Sequence, residues 1–195
     1  GWFKDEIVPI EKAVKYTPKN GGYEKLYFVF DADDGVRRGT TLEGLGKLRP
    51  AFAAKGSVTA GNSSQMTDGA AASVLMSREK AQELGIKPLA VFKNFQVAGV
   101  RPDEMGVGPR YAIPKLLKKT GLETKDIDYF EINEAFAAVG ISSARELGID
   151  NAKVNVNGGA IALGHPVGMS GARIVLHLAL ELKRRGGGVG AAALC

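Results

Sequence analysis

From about residue 110 onward, the apolar positions follow two alternating patterns, one typical of strands and one of helices. Short runs of β-branched and small apolar residues predict strands, whereas apolar residues recurring every three to four positions predict helices. The strands fall at 127–132, 153–156 and 189–194, and the helices at 112–119, 134–147 and 171–185. Strands that alternate with helices favour parallel pairing with right-handed crossovers. We therefore expect an α/β fold for this part of the chain.

The first hundred residues are less regular. Residues 1–56 contain several prolines and a Gly-Gly pair, and this density of breakers predicts a loop-rich region without regular structure. The polar segment 61–64 leads into an alanine-rich stretch that predicts a helix over about 68–84, closed by Gly85. Residues 89–100 predict a strand, which Val91, Phe92, Phe95 and Val97 favour.

Polar residues follow each of the three predicted C-terminal strands. Asn133 comes after the first, the segment 157–165 after the second, and Cys195 after the third. The carboxyl ends of parallel strands lie on one edge of a sheet, and ligands of such sheets bind beyond that edge. We expect these three features to converge on one site.

Length and composition narrow the class of protein. With 195 residues and 45% hydrophobic content, the chain fills one sizeable domain or parts of two. No apolar run approaches the ~20 residues of a membrane-spanning helix. The sequence opens without Met or a secretory pattern, so we expect a processed chain or, preferably, a piece of a longer one. One Cys and two His exclude an internal disulfide and make no zinc set, which favours a reducing compartment.

The net charge of +5 has two interpretations, a nucleic-acid partner or a small polyphosphate ligand. The basic residues are spread along the chain with few aromatic residues among them, so the polyphosphate fits at least as well. The densest run, Lys183 to Arg185, ends a predicted helix, where cations interact favourably with the carbonyl end of the helix dipole.

The segment 157–173, NGGAIALGHPVGMSGAR, is the most informative in the chain. Its five glycines remove side chains where a ligand or another backbone approaches closely. His165 lies among them, followed by Pro166 and a helix N-terminus, which carries partial positive charge. A neutral imidazole there suits a general base or a hydrogen bond to an oxyanion, and a structural histidine is the alternative. His177, among the apolar residues of the next helix, is interpreted as a packing or surface residue.

Two further residues have open interpretations. Asn133, between a predicted strand and a predicted helix, is either a helix N-cap or part of the site beside His165. Cys195 is either a buried structural thiol or, if His165 lies close, a thiol whose pKa is tuned for proton transfer.

Several segments together resemble the thiolase family: NEAFA at 133–137, NGGAIALGHPVGMSGAR at 157–173, GNSSQMTDGAAA at 61–72, MGVGP at 105–109 and the opening FKDEIVPI. The resemblance implies the thiolase fold, a layered αβαβα sandwich of two similar mixed sheets, only partly present here. It implies that residues 1–56 end the loop domain covering coenzyme A, that 57–100 close the N-terminal half, and that 101–195 form most of the C-terminal half.

The resemblance also implies roles for individual residues. His165 would activate a nucleophilic cysteine and help form an oxyanion hole, which Asn133 would complete through a bound water. Cys195 would exchange a proton with the substrate α-carbon. Ser64 would lie near the pantetheine arm, and Met105 in the substrate pocket. The part of the family pattern with the nucleophilic cysteine is absent, as are the last glycine-rich loop and strand.

The implied activity of the parent enzyme is thiolytic cleavage of a 3-ketoacyl-CoA by CoA, with GNSSQ favouring the degradative members. Acyl-CoA and CoA are the expected partners, without nucleic acid or membrane, and the full-length protein is expected to be a homo-oligomer. No metal or redox cofactor is implied, CoA being a substrate. The expected compartment is the bacterial cytoplasm, or the peroxisome or mitochondrion in a eukaryote. Two alternatives stay open: a non-catalytic thiolase-like module that binds acyl-CoA or lipid, and a fragment that docks on a partner chain.

Overall fold

The computed structural model describes residues 2–195 and divides them into two compact units, one ending at Asp34 and the other beginning at Gly35. The first unit is an antiparallel hairpin of β1 (Ile10–Tyr16) and β2 (Glu24–Phe30), which pair along their whole length. The expectation of irregular structure is wrong here. Gly21 and Gly22 have φ values of 83° and 88°, so the presumed breakers form the hairpin turn.

The second unit contains the alternating helices and strands that the pattern predicts. Each predicted C-terminal helix forms, and the first and third of the three strands form with bounds that shift by up to four residues. The predicted domain boundaries at residues 56 and 100 stay predictions. The helices are α1 (Leu42–Gly46), α2 (Arg78–Glu83), α3 (Gly108–Thr120), α4 (Ala137–Leu147), α5 (Ala160–Leu163) and α6 (Ser170–Arg184), the strands are β3 (Tyr129–Ile132) and β4 (Gly190–Ala193), and short 3₁₀ turns cover Pro102–Val107, Thr124–Asp126 and Asn151–Lys153.

Strands β3 and β4 pair in parallel, as predicted, and helices cover both of their faces. Successive strand residues point to opposite faces, and Ala191 joins the core formed with α3 and α4. Its neighbour Gly190 faces α6, where an added Cβ would lie 2.8 Å from the Leu178 side chain. Glycine therefore lets α6 approach the sheet closely. The main buried residues on the α3 and α4 side are Ile113, Leu117, Ile127, Phe130, Ile132 and Val139.

Two predicted elements between residues 68 and 100 are wrong. The alanine-rich stretch is helical only from Arg78, where the Ser77 hydroxyl caps the first turn, and the preceding Val74 is 84% exposed. Residues 89–100 form no strand, and Phe95 is 68% exposed. A strand needs a neighbour to pair with its backbone groups, and within residues 2–195 no strand is hydrogen-bonded to either segment. Gly85 ends α2 with a φ of 65°, as predicted.

The predicted strand at 153–156 is reduced to one parallel bridge between Phe130 and Val154. The reason is Asn155, whose φ of 46° turns the backbone away from an extended course. Its side chain takes over the pairing: Oδ1 accepts from the Ile132 N–H at 2.8 Å, and Nδ2 donates to the Ile132 carbonyl at 2.8 Å. An amide side chain thus satisfies the edge of β3 that faces away from β4.

Replacing Asn155 with Ala is expected to lower the free energy of unfolding by about 2–4 kcal/mol, because it leaves two buried backbone groups of Ile132 unpaired. Asn155→Gly should lose nearly as much, since glycine relieves only the positive φ, a contribution of about 1 kcal/mol. Asn151→Ala, at an exposed position four residues earlier, is the control and should change stability by less than about 0.5 kcal/mol. Urea unfolding followed by circular dichroism measures all three, and equal stability of the Asn155 and Asn151 variants would contradict this account.

Candidate active site

Asn133 follows β3 directly and is held by both its backbone and its side chain. Its N–H donates to the Ala193 carbonyl of β4 at 2.9 Å, which extends the parallel pairing by one residue. The N-cap interpretation is wrong, because α4 begins at Ala137 and the Asn133 side chain makes no bond to the helix. Instead the buried Asn133 amide lies 3.2 Å from His165 Nε2. The predicted convergence of these two residues is therefore confirmed.

The hydrogen bonds around His165 favour one assignment of the proton on its ring. Nδ1 lies 2.6 Å from the Ser170 hydroxyl, and that hydroxyl is 3.1 Å from the Pro166 carbonyl. The Pro166 carbonyl also accepts from the Met169 and Ser170 N–H groups at 2.9 Å. We assign the Ser170 proton to this carbonyl, which leaves the hydroxyl to accept from His165 Nδ1–H. Nε2 is then unprotonated and accepts from Asn133 Nδ2. This tautomer presents a basic nitrogen toward the end of β3.

The loop that carries His165 depends on its glycines. Gly158 and Gly164 have φ values of 90° and 86°, which side chains rarely adopt. A Cβ on Gly164 would also collide with Thr67, and a Cβ on Gly159 would lie 2.6 Å from the Glu134 carboxylate. The glycines thus permit close approach by neighbouring protein groups, whereas the sequence pattern suggested a ligand or another backbone.

Glu134 is a site residue that the sequence analysis missed. One carboxylate oxygen accepts from Asn155 Nδ2 at 2.9 Å, and the other accepts from the Ile161 N–H at 3.2 Å. Glu134 therefore ties the end of β3 to the middle of the glycine-rich loop. Its position next to Asn133 in the NEAFA segment was the available signal.

A third segment, residues 61–65, completes the arrangement. The His165 N–H donates to the Gln65 carbonyl at 2.9 Å, and the Ser64 N–H donates to the Ala135 carbonyl at 3.0 Å. Ser64 is half-buried between these contacts. The structure thus brings Ser64 beside both the 133–137 segment and the His165 loop.

Cys195 and Met105 lie at the margins of this group. Cys195 follows β4 by two residues and packs against the core, and its burial raises the pKa of its thiol. Because Asn133 bonds to Ala193, Cys195 is on the sheet edge that the sequence analysis predicted. Met105 lies in the 3₁₀ turn before α3 and is 54% exposed. It does not belong to the hydrogen-bonded group of Asn133, His165 and Ser170.

Two other interpretations made from the sequence, those of His177 and of the basic run 183–185, concern residues on α6 or at its end. His177 is buried, which confirms its interpretation as a packing residue, and its Nε2 lies 3.1 Å from Asn157 Nδ2. The basic run does end the helix, but Arg184 and Arg185 also pair with the buried carboxylate of Glu181. Two of the three cations in this run therefore neutralise a buried charge.

Electrostatics keep His165 neutral. Burial, and secondarily the Arg173 guanidinium, lower the pKa of His165 below its ordinary value of 6.5. Arg173 is fixed there by a 2.6 Å hydrogen bond from Nη2 to the Gly164 carbonyl.

Among residues 2–195, no cluster of three His, Cys, Asp or Glu side chains is placed to hold a metal ion. No helix in the same residues combines the length and apolarity that crossing a membrane requires.

Parallel strands with helices on both faces, and a polar site beyond their carboxyl ends, define an α/β protein of the class whose ligands bind at the sheet edge. Residues 1–79 match the family model described as thiolase, N-terminal domain, and residues 86–195 match the one described as thiolase, C-terminal domain. The chain belongs to the thiolase family, and the resemblance seen in its motifs is confirmed.

Known relatives show how much of the family's length is present. A 3-ketoacyl-CoA thiolase of Bacillus subtilis is 54% identical over 195 residues, covering 100% of this chain and 50% of the relative. The crystal structure of the Bacillus anthracis acetyl-CoA acetyltransferase superposes with a TM-score of 0.90 at 49% identity, over 100% of this chain and 47% of the other. The crystal structure of human mitochondrial 3-ketoacyl-CoA thiolase in complex with CoA superposes with a TM-score of 0.77 at 44% identity, over 86% of this chain and 42% of the other. The chain thus has the thiolase fold and spans about half the length of these relatives.

Replacing Arg173 with Gln should raise the pKa of His165 toward its ordinary value, because the variant loses a nearby positive charge. Lys183→Gln removes the same charge from an exposed position at the other end of α6 and serves as the control. Titration of the imidazole ring protons by NMR measures the shift. An unchanged or lower pKa in the folded Arg173 variant, relative to the control, would overturn this electrostatic assignment.

The same depressed pKa has a consequence for stability. The unfolded chain takes up this proton at higher pH than the folded chain does, so folding favours neutral His165. Its contribution is complete above the ordinary value of 6.5 and is lost as pH falls through the window between that value and the lower folded pKa.

Proposed function

We propose that this chain supplies the base side of an acyltransferase active site, which cleaves a 3-ketoacyl-CoA with free CoA. The observation that carries the proposal is the hydrogen-bonded series from Pro166 through Ser170 and His165 to Asn133. It leaves an unprotonated Nε2 beyond the carboxyl end of β3, where we place the reacting thiol and thioester. The names of the relatives, 3-ketoacyl-CoA thiolase and acetyl-CoA acetyltransferase, support this substrate class.

In the first step, His165 Nε2 takes the proton of a cysteine thiol, and the thiolate attacks the 3-keto carbon of the substrate. The only cysteine of this sequence is Cys195, so the nucleophile comes from outside these 195 residues. The resulting imidazolium donates a hydrogen bond to the oxyanion. We propose that Asn133, whose buried Oδ1 accepts no hydrogen bond from any residue between 2 and 195, holds the water molecule that completes the oxyanion site.

In the second step, the bond between the α-carbon and the 3-keto carbon breaks. Its electron pair passes to the α-carbon, which takes a proton from Cys195 and leaves as acetyl-CoA. The acyl group stays on the nucleophilic cysteine as a thioester. CoA then gives its thiol proton to the Cys195 thiolate and attacks this thioester. The released cysteine thiolate takes its proton back from the His165 imidazolium, and the products are a shortened acyl-CoA and the free cysteine. The steps need only proton and acyl transfer, so we propose no metal or redox cofactor.

The place of Ser64 supports its proposed contact with the pantetheine arm, because its neighbour Gln65 bonds directly to the His165 backbone. A thioester at His165 would therefore pass close to Ser64. We also propose that the excess of basic residues serves CoA phosphates. The substrate-pocket role of Met105, the homo-oligomer and the compartments named above stay predictions.

The alternative function is that of a binding module, which carries acyl-CoA or lipid without converting it. Such a carrier has no use for an imidazole whose tautomer is fixed and whose pKa is lowered. The arrangement around His165 therefore favours the catalyst. The presence of a nucleophilic cysteine in the full-length protein distinguishes the two.

In the full-length protein, His165→Ala is expected to reduce kcat by at least about 1000-fold, because it removes both the base and an oxyanion donor. His177→Gln changes the other histidine while keeping an acceptor in its place, and we expect it to retain most of the activity. Steady-state thiolysis of acetoacetyl-CoA measures both variants. Thiolysis by the folded His165 variant within 10-fold of the parent would refute the proposed function.

Replacing Cys195 with Ala in the full-length protein should spare acylation of the nucleophile by labelled acetyl-CoA, which needs His165 but no proton at the α-carbon. Exchange of α-protons with deuterated water, and cleavage of the carbon–carbon bond, should both be lost. Mass spectrometry of the acylated protein and NMR of the thioester follow the two half-reactions. Proton exchange at the parent rate would show that the thiol has only a structural role.

A further inference from the structure

Four polar side chains form a stripe along α6. Ser170, Arg173, His177 and Glu181 are spaced by three or four residues, which places them on one face of the helix. Ser170, His177 and Glu181 are buried, and all four contact the glycine-rich segment 157–166. A buried polar stripe is costly unless each group is satisfied, so its contacts have a structural purpose.

The stripe holds the segment at both ends. At its C-terminal end, which we call the far end, Ser170 bonds to His165 Nδ1 and Arg173 bonds to the Gly164 carbonyl. At the near end, the Asn157 amide donates to His177 Nε2 at 3.1 Å and to Glu181 Oε2 at 2.8 Å. The two hydrogens of one amide group thus go to two neighbouring turns of α6.

The loop between these ends has little intrinsic rigidity. Gly158 and Gly159 follow Asn157 immediately, and glycine backbones have the greatest conformational freedom. The position of His165 relative to Asn133 therefore depends on how the loop is anchored.

The near-end anchor is itself well supported. The Glu181 carboxylate is 2% exposed and is paired with Arg184 and Arg185, and the Arg185 guanidinium stacks 4.5 Å from the centre of the Tyr129 ring of β3. The two guanidinium groups thus hold the carboxylate in position, and it can orient the Asn157 amide toward His177. The mechanism proposed above uses none of these groups.

We infer that His177 and Glu181 are positioning residues, which anchor the loop through Asn157 and thereby keep His165 at hydrogen-bonding distance from Asn133. The contacts establish the anchor independently of activity, and only its catalytic consequence rests on the proposed function.

His177→Leu tests the anchor in the chain as it stands, because it removes the acceptor for Asn157. The sequence has two histidines, so every His177 variant leaves His165 as the only imidazole in the NMR spectrum. We expect the pKa of His165 to rise toward its ordinary value in His177→Leu, as the released loop exposes the ring. His177→Gln supplies an acceptor oxygen at the same place and should keep the pKa low.

A control separates positioning from a general loss of stability. Ile174→Val, made in the His177→Gln background, destabilises the same helix through a buried apolar residue and should not move the pKa. If His177→Leu does not fold, Asn157→Ala removes the same contact from the loop side and should raise the pKa equally. A pKa that stays at the His177→Gln value in whichever of these variants folds, or that rises equally in the Ile174 control, would overturn the inference.

In the full-length protein the anchor should affect kcat rather than KM. We expect His177→Leu to lower kcat about 10-fold or more with KM for acetoacetyl-CoA little changed, and His177→Gln to restore kcat, because a small misplacement of a base affects mainly the chemical step. The readouts fail separately: an unmoved pKa contradicts the anchor, whereas an active His165→Ala enzyme contradicts the proposed function.

Discussion

The Ser170 hydroxyl has one proton, which we assign to the carbonyl of Pro166. The hydroxyl can then only accept from His165 Nδ1, so Nε2 is left as the basic nitrogen facing Asn133. The role of His165 as a base depends on that assignment. Burial and Arg173 reinforce it by lowering the pKa of the ring, so that the base is neutral at the pH where it works.

The site is assembled by polar contacts from distant parts of the sequence more than by apolar packing. Glu134 and Asn155 tie the glycine-rich loop to β3, Gln65 binds the backbone of His165, and α6 holds both loop ends. Individual hydrogen bonds of this kind contribute only about 1 kcal/mol each. An unpaired buried carboxylate costs several kcal/mol, which explains why two arginines accompany Glu181. The position of the loop therefore depends on several weak anchors that act together, and the loss of one loosens it.

The sequence alone was sufficient to predict the parallel strands, the major C-terminal helices and the proximity of Asn133 to His165, because periodicity and sheet topology determine these features. It was insufficient where side chains replace backbone pairing. Asn155 interrupts a strand that the local pattern favours, and no composition signal reveals that its amide pairs with Ile132. The failure at 89–100 has another cause: apolar, strand-forming residues have no paired neighbour within the part of the chain that the structure describes. Glu134 was missed because a carboxylate that binds two amide groups resembles any polar residue at the start of a helix.

The protonation state of the His165 ring tests the central claim most directly. Nitrogen-15 NMR at neutral pH, correlating ring nitrogens with ring carbon-bound protons, distinguishes a protonated nitrogen from an unprotonated one, and His177→Gln identifies the His165 signals. We expect Nδ1 to be protonated and Nε2 unprotonated in the folded chain, and we expect Ser170→Ala to reduce this preference. A folded parent chain in which Nε2 carries the proton would contradict the account, because the nitrogen that faces Asn133 would then be unable to act as a base.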